Sequence, residues 1–449
     1  MKSSGVSTDT RNITENSLFF ALKGDNFNAN EFAIQALEKG AGYAIIDEEK
    51  YATDERCLLV NDVLYTLQKL ANFHRSHLSI PIIGLTGSNG KTTNKELLSC
   101  VLSKKYNCYA TKGNLNNHIG VPLSLLKINA THEIAVIEMG ANHQGEIRML
   151  AGISEPSYGF ITNIGKAHLE GFGGVAGVRK GKGELFDFLS ASGGTVFVNE
   201  NDETLTEMHA ERSFKESIFY GKTNERLEMI AESPVIELRI TNYQLPIINN
   251  QVEAAKGEYL TAKLETKNSK TQKLENVATH LSGAYNFENM QTAFAVGRYF
   301  GVSAEDCLIA ISEYNPDNNR SQLIEKGSNT LYMDAYNANP SSMAASIQNF
   351  INLKTDKQKV VILGDMFELG EATEAEHEAL GELVKKGKFT TVVLFGEHIK
   401  AALQHLPQAY YFNEKFSLHL WLNDKKFSDT AVLIKGSRGV KLESTIDFL

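Results

Sequence analysis

Ile82-Ile83-Gly84-Leu85-Thr86-Gly87-Ser88-Asn89-Gly90-Lys91-Thr92-Thr93 is the stretch of this 449-residue chain that decides its fold. The apolar run 82–85 predicts a buried strand, and the glycine-rich segment after it predicts a turn. Residues 94–104 predict a helix. The generic phosphate-binding pattern would place a glycine at Leu85, so the assignment rests on this strand–turn–helix context. Backbone N–H groups at such a helix start favour phosphate, Lys91 can reach the β- and γ-phosphates, and Thr92 can ligate Mg²⁺. We therefore expect ATP to be bound by the phosphate loop, which consists of Gly87, Ser88, Asn89, Gly90, Lys91, Thr92 and Thr93.

The pattern of strands and helices continues beyond the phosphate loop. Residues 134–137 and 159–162 are two more apolar strands that end in polar residues, and a helix is expected at 289–300. Alternating strands and helices predict a mostly parallel sheet that is covered on both faces. Strand-like pieces at 235–241 and 260–266 predict an antiparallel addition to the same domain.

The rest of the chain divides into a first and a last part. Residues 1–79 contain short apolar segments at 17–22 and 43–46, with helical stretches at 33–39 and 63–77. A hinge is expected at 314–316, and beyond it lie four strand candidates, at 330–334, 359–364, 390–396 and 431–435. We predict an α/β protein of three domains: a small α/β domain at 1–79, a central phosphate-loop domain at 80–314 and a Rossmann-like domain at 315–449.

Polar residues that follow the central strands are candidates for catalysis. Ligands bind at the carboxyl ends of the strands in open α/β sheets, and Glu138 and His168 follow two of those strands. Glu138 would be a natural Mg²⁺ ligand, with a surface glutamate as the alternative. A lone histidine such as His168 is more often structural. Lys180 and Lys182 by themselves are typical of a solvated basic helix start.

Composition excludes other classes of protein. The formal net charge of −9 argues against nucleic acid as the main partner, because binding a phosphate backbone needs clustered Lys and Arg. No apolar run approaches the roughly 18–20 residues of a membrane span, and the start of the chain lacks a signal pattern. The four cysteines lack metal-ligand spacing; Cys100 and Cys108 could pair, but buried free thiols are favoured. These features predict a cytoplasmic protein.

Several motifs occur together in this sequence, in one order along the chain. They are 8–11 (TDTR), 20–24 (FALKG), 86–93 (TGSNGKTT), 114–117 (NLNN), 138–147 (EMGANHQGEI), 167–173 (AHLEGFG), 334–340 (DAYNANP), 364–370 (GDMFELG) and 435–438 (KGSR). This set resembles the Mur ligases, the ATP-dependent amide-forming enzymes of peptidoglycan synthesis, over nearly the whole chain. Segments 141–147 and 334–340 resemble the family member that joins D-alanyl-D-alanine to UDP-N-acetylmuramoyl-tripeptide.

The resemblance implies a reaction and its metal site. A substrate carboxylate attacks the γ-phosphate of ATP to give an acyl phosphate, which the amine of the dipeptide then attacks. Two Mg²⁺ ions assist, the first held by Thr92 and Glu138 and the second by His168 and a lysine that carries CO₂ as a carbamate. Lys182 is the lysine that fits this position, and Lys180 is its nearest rival.

The resemblance also implies roles for residues outside the metal site. Asn286 and Asn289 would contact adenine, Asp334 would contact the ribose, and Arg320 would contact the γ-phosphate. The expected catalytic residues are Arg320, Lys91, Glu138, His168 and Lys182. The residues expected to bind the UDP-substrate are Thr8, Asp9, Thr10, Arg11, Lys23 and Asn117. Because Arg320 and Asp334 come from the last domain, the family mechanism implies closure of that domain over ATP.

Two other functions remain as alternatives. A folylpolyglutamate synthase would share the phosphate loop, Glu138 and His168, but should lack the motifs at 8–11 and 334–340. A non-catalytic module that senses ATP would need neither His168 nor a carbamate lysine. We expect a monomer, and the third residue of the tripeptide, lysine or a diaminopimelate, stays open.

Overall fold

The computed structural model of the protein describes residues 3–222, 226–231, 235–241, 277–317 and 319–449. The first part of the chain is a small α/β unit built on a parallel four-stranded sheet of order β1-β2-β5-β6. Its elements are β1 (Val6–Ser7), β2 (Leu18–Phe20), β3 (Lys23–Gly24), β4 (Phe27–Asn28), α1 (Ala33–Glu38), β5 (Tyr43–Ile46), β6 (Cys57–Leu59) and α2 (Val63–Ser76). Both predicted helices are confirmed to within one residue at each end, and the two apolar segments contain β2 and β5.

The central part contains a six-stranded parallel sheet of order β12-β11-β10-β7-β9-β8. Its elements are β7 (Ile82–Thr86), α3 (Lys91–Leu102), β8 (Cys108–Ala110), α4 (Gly120–Leu125), β9 (Ile134–Glu138), α5 (Glu146–Ser154), β10 (Tyr158–Ile161), α6 (Leu169–Phe172), α7 (Val175–Ser192), β11 (Thr195–Asn199), α8 (Glu203–Ala210) and β12 (Glu216–Tyr220). Strands β7, β9 and β11 are buried at every position, because helices cover both faces of the sheet. The predicted parallel sheet is confirmed.

Two helix starts differ from the sequence prediction. Helix α3 begins at Lys91 instead of residue 94, because Gly90, at φ 76°, turns the chain straight from the phosphate loop into the helix. Helix α9 (Ala284–Tyr299) begins five residues before the predicted start at 289, after Gly283 at φ 89°, and α10 (Ala304–Glu313) follows it.

The predicted antiparallel addition is confirmed for the described residues. Strands β13 (Arg226–Ala231), β14 (Glu237–Thr241) and β15 (Val277–Ala278) form an antiparallel sheet with β14 in the middle. Leu227 and Leu238 of this sheet are buried in the same core as β7. The strand expected at 260–266 lies outside the described residues.

The last part of the chain is a second α/β unit with a six-stranded mixed sheet of order β16-β17-β21-β18-β19-β20. Its elements are β16 (Gln322–Lys326), β17 (Asn329–Asp334), α11 (Pro340–Asn352), β18 (Gln358–Gly364), α12 (Thr373–Lys385), β19 (Thr391–Phe395), β20 (Tyr410–Phe412), α13 (Lys415–Lys425) and β21 (Thr430–Lys435). The four predicted strands are confirmed as β17, β18, β19 and β21. The sequence prediction missed the edge strands β16 and β20, which are too polar or too short to form an apolar run.

Helix α2 connects the first sheet firmly to the central domain. Its Asn72 side chain donates to the carbonyls of residues 152 and 153 at 3.2 Å, and Arg75 Nε donates to the Ser154 carbonyl at 2.9 Å. These acceptors lie at the carboxyl end of α5, where helix carbonyls lack partners within the helix. His74 Nε2 lies 2.8 Å from the carbonyl of Ile128, which adds a second attachment. The two units are therefore fastened together by hydrogen bonds from side chains of α2 to backbone carbonyls of the central domain.

Among the described residues, no helix is long and apolar enough to cross a membrane. Cys57, Cys100, Cys108 and Cys307 are all free thiols, as expected. Only Cys307 is fully buried, whereas the other three are partly exposed.

A buried carboxylate joins α7 to the start of α5. Gly145, at the N-terminus of α5, has no side chain that could cap the helix. Glu184 of α7 supplies the missing acceptors: Oε1 accepts from the Gly145 N–H at 2.6 Å and Oε2 from the Arg148 N–H at 2.9 Å. A charged cap at a helix N-terminus is stabilising because the helix dipole is positive there.

We expect Glu184→Ala to lower the free energy of unfolding by roughly 2–4 kcal/mol, since two charge-assisted hydrogen bonds from backbone N–H groups to a buried carboxylate are lost. Urea unfolding followed by circular dichroism measures this change. Glu211→Ala is the matched control, because Glu211 forms only exposed ion pairs with Arg179 and Arg212 and should change stability little. Equal shifts in both variants would contradict the capping role.

Candidate active site

A cavity of about 550 Å³ lies between the carboxyl edge of the central sheet and the last domain. It collects most of the residues predicted to bind ATP or metal. Those that line it are Ser88, Asn89, Gly90, Lys91, Thr92, Thr93, Glu138, His168, Asn286, Asn289, Arg320 and Asp334. Asn117, a predicted substrate residue, lines it as well. Gly87 and Lys182 do not line the cavity, and neither do the predicted substrate residues of the first domain.

The phosphate loop can adopt its conformation only with glycine at two positions. Gly87 has φ 147°, and a Cβ there would lie 1.9 Å from Thr162 Oγ1. Gly90 has φ 76°, and a Cβ there would lie 2.5 Å from Asn289 Oδ1. Left-handed backbone and close approach both exclude a side chain. A side chain at either position would have to displace Thr162 or Asn289, so only glycine keeps the loop in this conformation.

Lys91 folds back over this loop. Its Nζ donates to the carbonyls of Gly87 at 2.7 Å and Ser88 at 3.2 Å. Burial lowers the pKa of Lys91 to about 8, against the weaker opposing effect of the Glu138 carboxylate. The ammonium group thus lies at the phosphate loop and is poorly solvated, so an incoming phosphate would stabilise its charge.

Glu138 is the buried acid of the cavity, with 1% of its surface exposed. Its Oε1 accepts from Asn116 Nδ2 at 2.7 Å and from Thr92 Oγ1 at 3.3 Å. Its Oε2 is buried and has no hydrogen-bond partner among the residues that the structure describes, although Lys95 Nζ lies 4.0 Å away. A buried carboxylate oxygen without a partner is costly unless a cation or water completes it.

This arrangement fits a Mg²⁺ ion. Thr92 and Glu138 offer oxygen ligands at one wall of the cavity, and Mg²⁺ usually takes only one or two protein ligands, with phosphates and water as the others. The described part of the chain contains no group of three or more His, Cys, Asp or Glu side chains that could hold a metal by itself.

Of the two residues expected at a second metal, His168 lines the cavity and Lys182 does not. His168 has φ 52° and lines the cavity, and its Nδ1 contacts Oε2 of Glu368 from the last domain. Lys182 is fully buried, and its Nζ donates to the Ala141 carbonyl at 2.9 Å. Burial, reinforced by the charge of Lys91, holds the pKa of Lys182 well below its usual range. The structure therefore does not bring Lys182 into the cavity beside His168.

Asparagines connect the phosphate loop to helix α9. Asn94 Nδ2 donates to Asn289 Oδ1 at 2.6 Å, and Asn289 Nδ2 donates to Asn286 Oδ1 at 3.1 Å. Asn286 and Asn289, the predicted adenine contacts, are thus placed at the cavity wall by bonds to each other and to α3.

Arg320 and Asp334 reach the cavity from the last domain. The guanidinium of Arg320 lies 3.6 Å from the ring centroid of Tyr336, and its Nε is buried without a hydrogen-bond partner among the described residues. Asp334 Oδ2 accepts from Lys435 Nζ and from Ser346 Oγ, both at 2.6 Å. The stacked arginine is a free donor for a phosphate, as its predicted role requires.

The predicted UDP-substrate residues lie in the first domain, away from the cavity. Asp9 and Arg11 form an exposed ion pair at 2.7 Å, and the carbonyl of Thr10 accepts from Lys39 Nζ at 3.0 Å. Lys23 is paired with Asp47 at 3.0 Å. Thr8 lies in the same segment, between β1 and the turn at residues 10–12. Asn117 differs from this group: it lines the cavity, and its Oδ1 accepts from the backbone N–H of residues 119 and 120 at the start of α4.

Several contributors to the site were missed by sequence reasoning. Tyr336 supports Arg320, Asn116 holds Glu138, and Asn339 Nδ2 donates to Asn89 Oδ1 of the phosphate loop at 2.7 Å across the domain boundary. Glu368 contacts His168 across the same boundary. All four lie within the motifs at 114–117, 334–340 and 364–370, so a signal was present. Their partners could not be read from the sequence, because each contact joins distant segments.

Comparisons with known proteins agree with this geometry. A family model described as "Mur ligase middle domain" matches residues 85–297, and one described as "Mur ligase, glutamate ligase domain" matches residues 319–438. The UDP-N-acetylmuramoyl-tripeptide–D-alanyl-D-alanine ligase of Bacillus subtilis (strain 168) is 33% identical over 452 residues, covering 98% of this chain and 92% of that protein. The ligase of the same name from Escherichia coli (strain K12) is 33% identical over 444 residues, with the same coverage. A crystal structure of MurF from Acinetobacter baumannii superposes with a TM-score of 0.80 at 28% identity, covering 98% of this chain and 92% of that one.

The chain therefore belongs to the Mur ligase family, and this sequence prediction is confirmed. Membership makes it an ATP-dependent ligase that forms amide bonds, which sets aside a non-catalytic ATP sensor. Folylpolyglutamate synthase of Mycobacterium tuberculosis in complex with ADP shares the fold, with a TM-score of 0.62 at 14% identity.

We expect nucleotide binding to be accompanied by proton uptake around and above pH 8, because about half of the Lys91 side chains are already neutral at that pH in the free protein, whereas phosphate favours the charged form. Affinity for ADP should accordingly fall as the pH rises from about 8 towards 10, by at most about tenfold per pH unit. Calorimetric titrations in buffers of different ionisation enthalpy measure this uptake. Lys91→Arg keeps its charge over this range and should abolish the uptake; the same uptake in both proteins would contradict the assignment.

Proposed function

We propose that the protein joins D-alanyl-D-alanine to UDP-N-acetylmuramoyl-tripeptide at the expense of ATP, in cytoplasmic peptidoglycan precursor synthesis. One observation carries this proposal: a cavity in which the phosphate loop and the buried Glu138 face Arg320 of another domain. Such a cavity holds the triphosphate between groups from two domains, as transfer of the γ-phosphate to a separate acceptor requires. Relatives that carry the name of this ligase match the chain along nearly its whole length, which supports the choice of acceptor.

The reaction that suits these residues has two steps. The terminal carboxylate of the tripeptide attacks the γ-phosphorus of ATP, ADP leaves, and an acyl phosphate forms. The amine of D-alanyl-D-alanine then attacks the acyl carbon and loses a proton, and phosphate leaves. Phosphoryl transfer needs neutralisation of charge more than covalent help from the protein. Lys91, Arg320 and the N–H groups of the phosphate loop would supply positive charge around the phosphates.

Thr92 and Glu138 would hold the first Mg²⁺ ion, as the partnerless Oε2 of Glu138 supports. When bound, Mg²⁺ neutralises phosphate charge and orients the phosphate oxygens. His168 and Lys182 are our candidates for holding a second ion. The first domain would bind the UDP end of the substrate through residues 8–11 and Lys23, while Asn286, Asn289 and Asp334 would hold the nucleoside of ATP.

Lys182, as opposed to Lys180, is our candidate for the carbamate. A lysine reacts with CO₂ only as the neutral amine, which adds to the carbon and releases a proton. Burial favours that neutral form at Lys182, whose pKa is lowered, whereas Lys180 is exposed to solvent. The product is an anionic oxygen ligand, which Mg²⁺ prefers.

We expect phosphate release from ATP to require both UDP-N-acetylmuramoyl-tripeptide and D-alanyl-D-alanine, because the acyl phosphate forms on one and is consumed by the other. A coupled phosphate assay that omits each substrate in turn, with mass spectrometry of the product, measures this. Lys91→Ala supplies the background rate. If ATP were turned over equally fast with a folate and glutamate in place of these two substrates, the proposed substrates would be wrong.

Lys182→Ala should lower the rate by more than about 100-fold, beyond the 10- to 100-fold loss usual for a residue one layer behind a metal. Short carboxylic acids such as formate or acetate should restore part of it by replacing the carbamate. Lys180→Ala is the matched control and should stay active. Full activity of Lys182→Ala without added acid would refute the role.

A further inference from the structure

A side-chain contact across the domain boundary joins His168 to Glu368. Nδ1 of His168 and Oε2 of Glu368 lie within hydrogen-bonding distance, and both residues line the cavity that contains Glu138. His168 lies between β10 and α6 of the central domain, whereas Glu368 lies in the loop that follows β18 in the last domain. The contact therefore exists only while the two domains are docked.

Both residues have a positive φ angle, a backbone conformation that residues other than glycine rarely adopt. His168 has φ 52° and Glu368 has φ 63°. Such conformations persist where the surroundings hold them and are common at functional sites. Here the backbones also meet, because the Glu170 N–H donates to the Glu368 carbonyl at 3.2 Å.

The loop that carries Glu368 is anchored on the side of the last domain. Asp365 accepts from the backbone N–H groups of residues 397 and 399 at 2.9 and 2.7 Å. The buried His377 accepts at Nε2 from the Met366 N–H at 3.0 Å, and Ser437 Oγ accepts from the Phe367 N–H at 3.1 Å. Hydrogen bonds to the last domain thus hold the loop that carries Glu368 in place.

We propose that Glu368 is a positioning residue for His168. By holding Nδ1, the carboxylate fixes the orientation of the imidazole ring and leaves Nε2 as the nitrogen available to a metal ion, as in carboxylate–histidine–metal arrangements. Glu368 then positions His168 for the second ion only while the last domain is docked. This inference rests on the proposed function, in which His168 holds the second Mg²⁺ ion.

The competing explanation is an ordinary ion pair that only fastens the domains together. The chain offers a control for it: Lys166, two residues before His168, pairs with Glu376 of the last domain at 2.5 Å. Exposed ion pairs contribute little by themselves. Glu376→Ala therefore removes a neighbouring contact between the same domains without touching His168.

The test counts bound Mn²⁺ by electron paramagnetic resonance in the presence of a non-hydrolysable ATP analogue, on the full chain. Wild type and Glu376→Ala should bind two ions with the same affinities. Glu368→Ala should weaken the second ion about 10- to 100-fold and raise the Mg²⁺ concentration needed for half-maximal rate similarly. Glu368→Gln, whose amide oxygen can also accept from Nδ1–H, should restore most of the binding.

The outcomes separate this inference from the function on which it rests. Equal effects of Glu368→Ala and Glu376→Ala, or no effect of either, would overturn the positioning role. Loss of the second ion in His168→Ala but not in Glu368→Ala would overturn the inference alone. A single bound ion in wild type, or two in His168→Ala, would overturn the metal role of His168 and the inference with it.

Discussion

The pairing of β7 with its two neighbours is the constraint on which the site depends. Residue 85 of β7 pairs with Glu138 of β9, and residue 86 pairs with residue 161 of β10. Because all three strands are parallel, the phosphate loop, Glu138 and the segment before His168 leave the sheet at one edge. A shift of one strand by a single residue would turn Glu138 towards the opposite face. The placement of these residues thus depends on backbone hydrogen bonds between the strands, in which none of their side chains takes part.

Much of this arrangement is local in sequence and therefore predictable. The strand, the glycine turn and Lys91 are contiguous, and Glu138 and His168 follow apolar runs whose edge follows from parallel topology. The start of α3 was placed three residues too late, because the prediction overlooked that Gly90 can turn the chain directly into a helix. Glu368 could not be predicted as a partner of His168, since 200 residues separate them and the docking of two domains creates the contact. The burial of Lys182 could not be predicted either, because it depends on how α7 packs against Phe172 of α6 and against the segment that contains Ala141.

The boundary between the central and last domains is polar where it meets the cavity. Asn339 reaches Asn89 of the phosphate loop, Ser341 Oγ accepts from the Lys166 N–H at 2.8 Å, and Glu368 reaches His168. Polar boundaries of this kind separate at lower cost than apolar ones, because water can satisfy the released groups. Residues that line the cavity therefore make these contacts only while the last domain is docked.

The attachment of α2 to the central domain has a consequence for the substrate. Asn72 and Arg75 fasten the first domain to carbonyls at the end of α5, which fixes its position relative to the central domain. Under the proposed function, the distance from residues 8–11 and Lys23, which would bind the UDP end of the substrate, to the phosphate loop is then constant. A constant distance selects substrates by length: a precursor one residue short would be held correctly at its nucleotide end, yet its carboxylate would stop before the γ-phosphate. Helix α2 would in this way contribute to substrate selectivity without touching the peptide.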